Sequence, residues 1–199
     1  MQLHPIENPA LMRQIFGAAV AVPAQLLSTQ KMQGALQEKG TVPTLRHYLS
    51  LLSEAFLVTG LEKYSASQLR TRKSIPKFIV HDNALCRAFE RPVNEAISPE
   101  RFGRYFENAI GARFVEAGWD TYYWKHRNHE VDFVVIGPNN EKWAIEVKTT
   151  EVSLQELKGV FEFCGQHNEF EPCLLSLVDQ KFDGLMSLDP YSVLSLHRP

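Results

Sequence analysis

Three acidic side chains and one lysine have the types and spacing that phosphodiester chemistry needs. Asp132 lies in Glu130-Val131-Asp132-Phe133, Glu146 and Lys148 lie in Ile145-Glu146-Val147-Lys148, and Glu107 stands upstream in a helical run. The runs 130–136 and 142–148 are otherwise apolar and strand-like. A carboxylate buried in such a strand is costly unless its charge is offset. A divalent cation is the economical offset, and hard oxygen ligands favour Mg2+ or Mn2+ over zinc. Lys148, beside the acids, then suits a phosphate.

Positioning follows from period two. Strand alternation puts Asp132 on a face with Val134 and Ile136, with Val131, Phe133 and Val135 on the other, and puts Glu146 and Lys148 on a face with Ala144. Gly137-Pro138-Asn139-Asn140 is turn chemistry, so the two runs predict a hairpin. A loop over residues 137–141 sets Asp132 opposite Glu146. Opposed Cβ atoms are ~5 Å apart, and two like charges there repel by roughly 3 kcal/mol at an effective dielectric near ~20. Without a cation one of the acids should take up a proton; with Mg2+ or Mn2+ between them both stay ionised.

Glu107 belongs to a helix predicted over 100–117, whose apolar side carries Phe102, Phe106, Ala109, Ile110 and Phe114. It sits at the edge of that side and can lean toward whatever the helix packs on. A lone glutamate there is more often a solvated flank residue. Its value lies in company with the hairpin acids. The predicted order onward is a strand over 119–124, the hairpin 130–148, a helix over 153–164 and a strand over 173–178.

That order, with Glu107 on the helix, Asp132 on one strand and Glu146-Val147-Lys148 on the next, resembles the PD-(D/E)XK nuclease-like superfamily. More closely, Phe102-Gly103-Arg104-Tyr105-Phe106-Glu107-Asn108 and the two acid-bearing strands resemble the C-terminal region of bacterial and archaeal AAA-type ATPases. The resemblance also covers 41–82. It implies a restriction-endonuclease-like αβββαβ core with a mixed sheet. Asp132 and Glu146 would hold one or two metal ions with the Val147 carbonyl, Glu107 would complete or flank the site, and Lys148 would orient the attacking water or steady the phosphate. Gln155 and Lys158 are candidates for the further polar residue that many such nucleases carry on the next helix. No Gly-x-x-x-x-Gly-Lys-Ser/Thr run is present. The ATPase part of such proteins is therefore not expected here, nor is ATP-driven activity.

The first half reads as a winged helix-turn-helix, giving an α+β chain with one domain over 1–95 and the nuclease-like one over 96–199. Asn8, Ser28 and Thr41 are N-cap candidates for three helices: 9 to about 20, 29–37, and one opening at Thr41. Strands follow over 56–61 and 77–80, with a basic wing over 69–74 between them. Lys63, Arg70, Arg72, Lys73 and Lys77 form a cationic cluster suited to DNA phosphates, and Arg46 and His47 are the exposed polar residues of the third helix. The bland alternative is a solvated hairpin tip that keeps an edge strand soluble. Likewise His126 and His129 have a metal-ligand spacing, but turn residues pointing away from Asp132 are the better reading. Trp119, Tyr122, Tyr123 and Trp124 suit core packing better than base stacking.

Composition bounds the rest. The chain has 199 residues, 44% hydrophobic, a net charge of −2 and three cysteines without metal-ligand spacing. A packed core and a reduced, cytoplasmic protein are expected, with no membrane span and no broadly basic nucleic-acid coat. Two functions of different class remain: a metal-dependent DNA endonuclease with a winged-helix module, or an inactive nuclease fold that partners an AAA-type ATPase. Keeping three acids and a lysine together favours the first.

Overall fold

The computed structural model describes residues 6–65, 74–89 and 96–196. Among the described residues, four helices and a small sheet form the first half: α1 (Pro9–Val20), β1 (Gln25–Leu26), α2 (Thr29–Ala35), α3 (Val42–Glu54), β2 (Val58–Leu61), β3 (Lys77–Val80) and α4 (Asn83–Phe89). Local chemistry sets the helix starts. Asn8, Ser28 and Thr41 accept the backbone N–H of Leu11, Lys31 and Thr44, and Pro9 and Pro43 stand in first turns where no N–H is needed. The three strands form an antiparallel sheet in the order β1-β3-β2. Leu11, Ile15, Met32, Leu45, Leu52, Val58, Phe78 and Val80 close its core.

The second half runs α5 (Pro99–Glu116), β4 (Asp120–His126), β5 (His129–Ile136), β6 (Lys142–Lys148), α6 (Lys158–Gln166), β7 (Glu171–Ser176), β8 (Met186–Leu188) and α7 (Pro190–Leu194). Its five strands lie in sequence order in one mixed sheet; β4, β5 and β6 are antiparallel, and β6, β7 and β8 are parallel. Helices cover both faces. Ile110 and Phe114 of α5 pack with Phe133, Val135, Ile145 and Val147 on one face. Val160 and Phe163 of α6 pack with Val131, Val134 and Ala144 on the other. Gly159 lets α6 approach closely, since a Cβ there would run into the Glu130 carbonyl.

The two halves share a core. Leu61 and Ile79 of the small sheet join the α5 cluster. Beyond β2, the Tyr64 N–H donates to the Tyr123 carbonyl (2.7 Å) and the Tyr123 N–H to that of Glu62 (3.2 Å). Asn108 of α5 adds a third tie, to the backbone of Val80 in β3. Among the described residues no helix is long and apolar enough to cross a membrane.

Three expectations are corrected. The strand foreseen from residue 56 starts at Val58, because Phe56 takes a left-handed φ of 53° and leaves its ring 46% exposed. The helix foreseen over 153–164 starts at Lys158; Ser153 and Glu156 bond locally and form a turn that buries Leu157 instead. The third concerns Asp132. Tyr122 pairs with Val134 but Trp124 pairs with Val131, so Tyr123 faces both Asp132 and Phe133 across a β-bulge. A bulge breaks the alternation. Val131 thus joins the face of Val134, and Asp132 turns to the α5 side with Phe133, opposite to the face that strict period two assigns.

Candidate functional site

The β5–β6 ladder runs from Ile136–Lys142 to Phe133–Ile145, the register that sets Asp132 against Glu146. Beyond that last pair a side chain replaces the ladder: Asp132 Oδ2 accepts the Val147 N–H at 2.9 Å. Glu146 and Lys148 keep the face of Ala144, as alternation requires, and Lys148 Nζ lies 2.8 Å from Glu146 Oε1. Glu107, on the buried side of α5, ion-pairs with Lys77 of β3. Lys77 Nζ also stands 3.5 Å from Asp132 Oδ1 and donates to the Asp132 carbonyl at 3.2 Å. Asp132 therefore joins the Glu107–Lys77 pair on the α5 side, while Glu146 and Lys148 pair with each other on the other.

Lys77 is a correction. It was expected in a solvent-facing cationic patch, yet its side chain is 1% exposed and its ammonium lies over the Phe133 ring, 4.9 Å from the centroid. Four described positions in a row, Lys77-Phe78-Ile79-Val80, are buried, so a lysine there needs buried anions. The same reasoning that picked out the acids would have found it. Of the other proposed phosphate contacts, Arg46 is exposed on α3 and borders a cavity of about 440 Å³ with Thr29, Ser50 and Ser74, and Lys63 is half-buried. Arg70, Arg72 and Lys73 lie outside the described residues. His126 and His129 both turn to Glu162 of α6, away from Asp132. Trp119, Tyr123 and Trp124 are buried in the core.

Charge decides what the cluster can hold. Burial first, then Asp132, pushes Glu146 up to about 8, with Lys148 opposing. Burial and Asp132 likewise push Glu107 up to about 7, against the pull of Lys77. Burial disfavours the ammonium of Lys77, but Glu107 and Asp132 together outweigh it and raise its affinity for the proton. Lys148 is raised in the same way by Glu146 and Asp132. The acids outnumber the lysines, and the deficit appears as glutamates that hold protons near neutrality.

Carboxylates and a backbone carbonyl are hard oxygen donors, the type that suits Mg2+ or Mn2+ rather than zinc. Such ions take one or two carboxylates and keep several waters. Asp132, Glu146 and the Val147 carbonyl are the groups that would hold it. They do not form an all-protein cage: among the described residues no three acidic, histidine or cysteine side chains gather as one. The bulge explains this, because it sends Asp132 to one side of the sheet while Glu146 keeps the other.

Comparison with known families fits a two-part chain. A family described as a domain of unknown function (DUF8612) matches residues 1–95, and another domain of unknown function (DUF4143) matches residues 102–185. The chain carries both domains. DUF4143 is often found with AAA ATPases. No curated protein and no solved structure matches. Glu107, Asp132, Glu146 and Lys148 fall in the DUF4143 match, whereas Lys77 comes from the DUF8612 match.

The raised glutamates predict how stability varies with pH. In the unfolded chain both titrate near their ordinary 4.5, in the folded one near 7 and 8. Between about 4.5 and 8 the native state thus binds more protons, and its stability falls as pH rises. The loss is on the order of a few kcal/mol. Lys77 and Lys148, raised above the usual lysine range, keep their contribution throughout this window. Melting of the metal-free protein should therefore be highest near pH 5, and Glu146→Gln should flatten the decline. A wild-type melting point that does not change from pH 5 to 8 would contradict these assignments.

Proposed function

We propose that the DUF4143 part is a restriction-endonuclease-like, PD-(D/E)XK-type domain that hydrolyses DNA phosphodiester bonds with Mg2+ or Mn2+, and that the DUF8612 part is a winged-helix module that binds DNA or docks a partner. The observation that carries this reading is the end of the β5–β6 hairpin, whose register sets the Asp132 and Glu146 positions across from each other, with Lys148 Nζ 2.8 Å from Glu146. The bound ion would lower the pKa of its water and offset charge developing on the phosphate. Asp132 and Glu146 provide carboxylate oxygens at a desolvated place. The Val147 N–H fixes the Asp132 carboxylate, which therefore needs little reorganisation. Lys148, the more exposed of the two lysines, is free to turn from Glu146 toward a phosphate oxygen or an attacking water. Arg46 and Lys63, with Arg70, Arg72 and Lys73, are the proposed contacts to the DNA backbone.

The test is cleavage of plasmid and linear DNA with Mg2+, Mn2+ or EDTA. Metal-dependent nicking by wild type, lost in Lys148→Ala with Mn2+ binding retained, is the expected result. Failure of the folded wild type to cut single-stranded, linear or supercoiled DNA under any of these conditions would contradict it.

A second reading has its own support. Lys77 already neutralises part of the acid cluster from within, and DUF4143 is often found with AAA ATPases. Both suit a catalytically inactive interaction module that partners an AAA-type ATPase. Absence of cleavage together with Lys148→Ala behaving like wild type in every assay would favour it.

A further inference from the structure

Away from the acid cluster, polar side chains drawn from both halves of the chain stand in one hydrogen-bonded line. Ser53 Oγ of α3 lies 3.1 Å from Thr59 Oγ1 of β2, and Thr59 Oγ1 lies 2.9 Å from Nε2 of His81, just past β3. His81 Nδ1 is 3.2 Å from Glu116 Oε1 at the end of α5, and Arg113 Nη1 is 3.4 Å from Glu116 Oε2. A carboxylate only accepts, so the ring proton sits on Nδ1 and is donated to Glu116. Nε2 of the neutral ring is then the acceptor for the Thr59 O–H. Thr59 in turn accepts the O–H of Ser53. A hydroxyl on a base, with the base held by a third group, is the arrangement that activates a nucleophile.

The surroundings suit that chemistry. The His81 side chain is 4% exposed, and the Phe56 ring meets it edge-on with 5.5 Å between centroids. This keeps water from competing for Nε2. Thr59 is half-buried and lines a cavity of about 220 Å³ with Gly60, Val115 and Trp119. The His81 N–H donates to the Leu57 carbonyl, so alternation makes Thr59–Ile79 and Leu61–Lys77 the hydrogen-bonded pairs of the antiparallel ladder. Gly60 therefore turns its N–H to the outer edge of β2, away from β3. A backbone N–H beside the nucleophile is a donor that a developing oxyanion can use. A network serving only to tie the two halves has no need to open on a cavity. Asn108, which does tie them, is enclosed.

We propose that Thr59, His81 and Glu116 form a hydrolytic site separate from the acid cluster, with Thr59 the nucleophile toward an uncharged, short-chain carboxylic ester. The small cavity limits the acyl group, and the exposed acids Glu62 and Asp120, which also line it, disfavour an anionic substrate. Thr59 Oγ1 attacks the carbonyl carbon while its proton passes to His81 Nε2, and the Gly60 N–H faces the oxygen that becomes negative. The C–O bond to the alcohol breaks, and the alcohol leaves with the proton from Nε2. A water then attacks the acyl group on Thr59 and gives its proton to His81, which returns it to Thr59 Oγ1 as the acid departs. Ester and water thus become acid and alcohol. Glu116 is a positioning residue that sets the ring's tautomer, and Ser53 steadies the Thr59 oxygen.

The experiment uses the full chain in EDTA with p-nitrophenyl acetate as the probe. Nitrophenolate release is followed in time, and the acetyl group is located by mass spectrometry after an acid quench. Expected are a burst approaching one nitrophenolate per chain and an acetyl group on Thr59. Thr59→Val should lose the burst and Thr59→Ser should keep it. Glu116→Gln should lower kcat by roughly a hundredfold with KM unchanged. Acetyl groups only on lysines or on Ser53, or none at all, overturn the proposal, as does an undiminished burst in folded Thr59→Val. An unchanged kcat in Glu116→Gln overturns the role of Glu116. If Thr59→Val does not fold, the adduct on the wild type and the burst of Thr59→Ser decide.

Discussion

Asp132→Asn is expected to abolish saturable Mn2+ binding and to reduce metal-dependent hydrolysis by about two to three orders of magnitude, with the fold retained. Asp132 is the residue every other group in the cluster responds to. It raises the proton affinity of both Glu107 and Glu146, helps raise that of Lys77 and Lys148, and fixes Val147. An asparagine side-chain oxygen can still accept the Val147 N–H, so the bulge and the hairpin end keep their tie. The lost attraction to Lys77 is compensated by relief of repulsion on two buried glutamates. The metal-free variant should therefore melt within a few degrees of wild type, and its decline between pH 5 and 8 should be shallower. Circular dichroism melts and nicking assays on the same samples check both halves. A collapse in stability would instead make Asp132 a structural partner of Lys77.

Asn108→Ala should have the largest effect on stability. The side chain is 1% exposed and makes three hydrogen bonds: Oδ1 accepts the Val80 N–H (2.8 Å), and Nδ2 donates to the Val80 carbonyl (2.6 Å) and to Asn83 Oδ1 (2.8 Å). The carboxamide thus takes the place of a strand. The β1–β3 pairing reaches only Phe78–Gln25, and Asn108 satisfies the edge of β3 one pair further on. Alanine leaves a buried N–H and a buried carbonyl without partners, each worth ~1–3 kcal/mol, so a loss of about 3 kcal/mol or more is expected. In a chain of this size that lowers the melting point by about 10 °C. Asn108→Asp is no rescue, because it sets an oxygen against the Val80 carbonyl. Urea unfolding measures the change, and a loss below about 1 kcal/mol would mean that water replaces the side chain at the β3 edge.

The elements that define the site could be read from the sequence because their signals are local. Gly137-Pro138-Asn139-Asn140 sets the turn, alternation sets the hairpin, and together they give the register that pairs Phe133 with Ile145. Asn8, Ser28 and Thr41 all cap helices with their side chains. What escaped was non-local or broke a period. The bulge at Asp132 and Phe133 has no glycine to announce it, and it reverses the side to which the key acid points. Lys77 looked like one more member of a basic stretch, and only the packing of β3 against α5 turns it inward. The short strands β1 and β8 were missed because two or three residues carry no usable periodicity. Asn108 gives no sequence signal at all, since its partner is the backbone of a strand 28 residues away.

One titration tests the central claim most directly: Mn2+ into wild type and into Asp132→Asn at pH 7.5, followed by calorimetry, with both proteins shown to be folded. The acid cluster as described predicts saturable binding of one ion by the wild type and none by the variant. Equal heats from the two proteins, or no binding by the wild type, would contradict it.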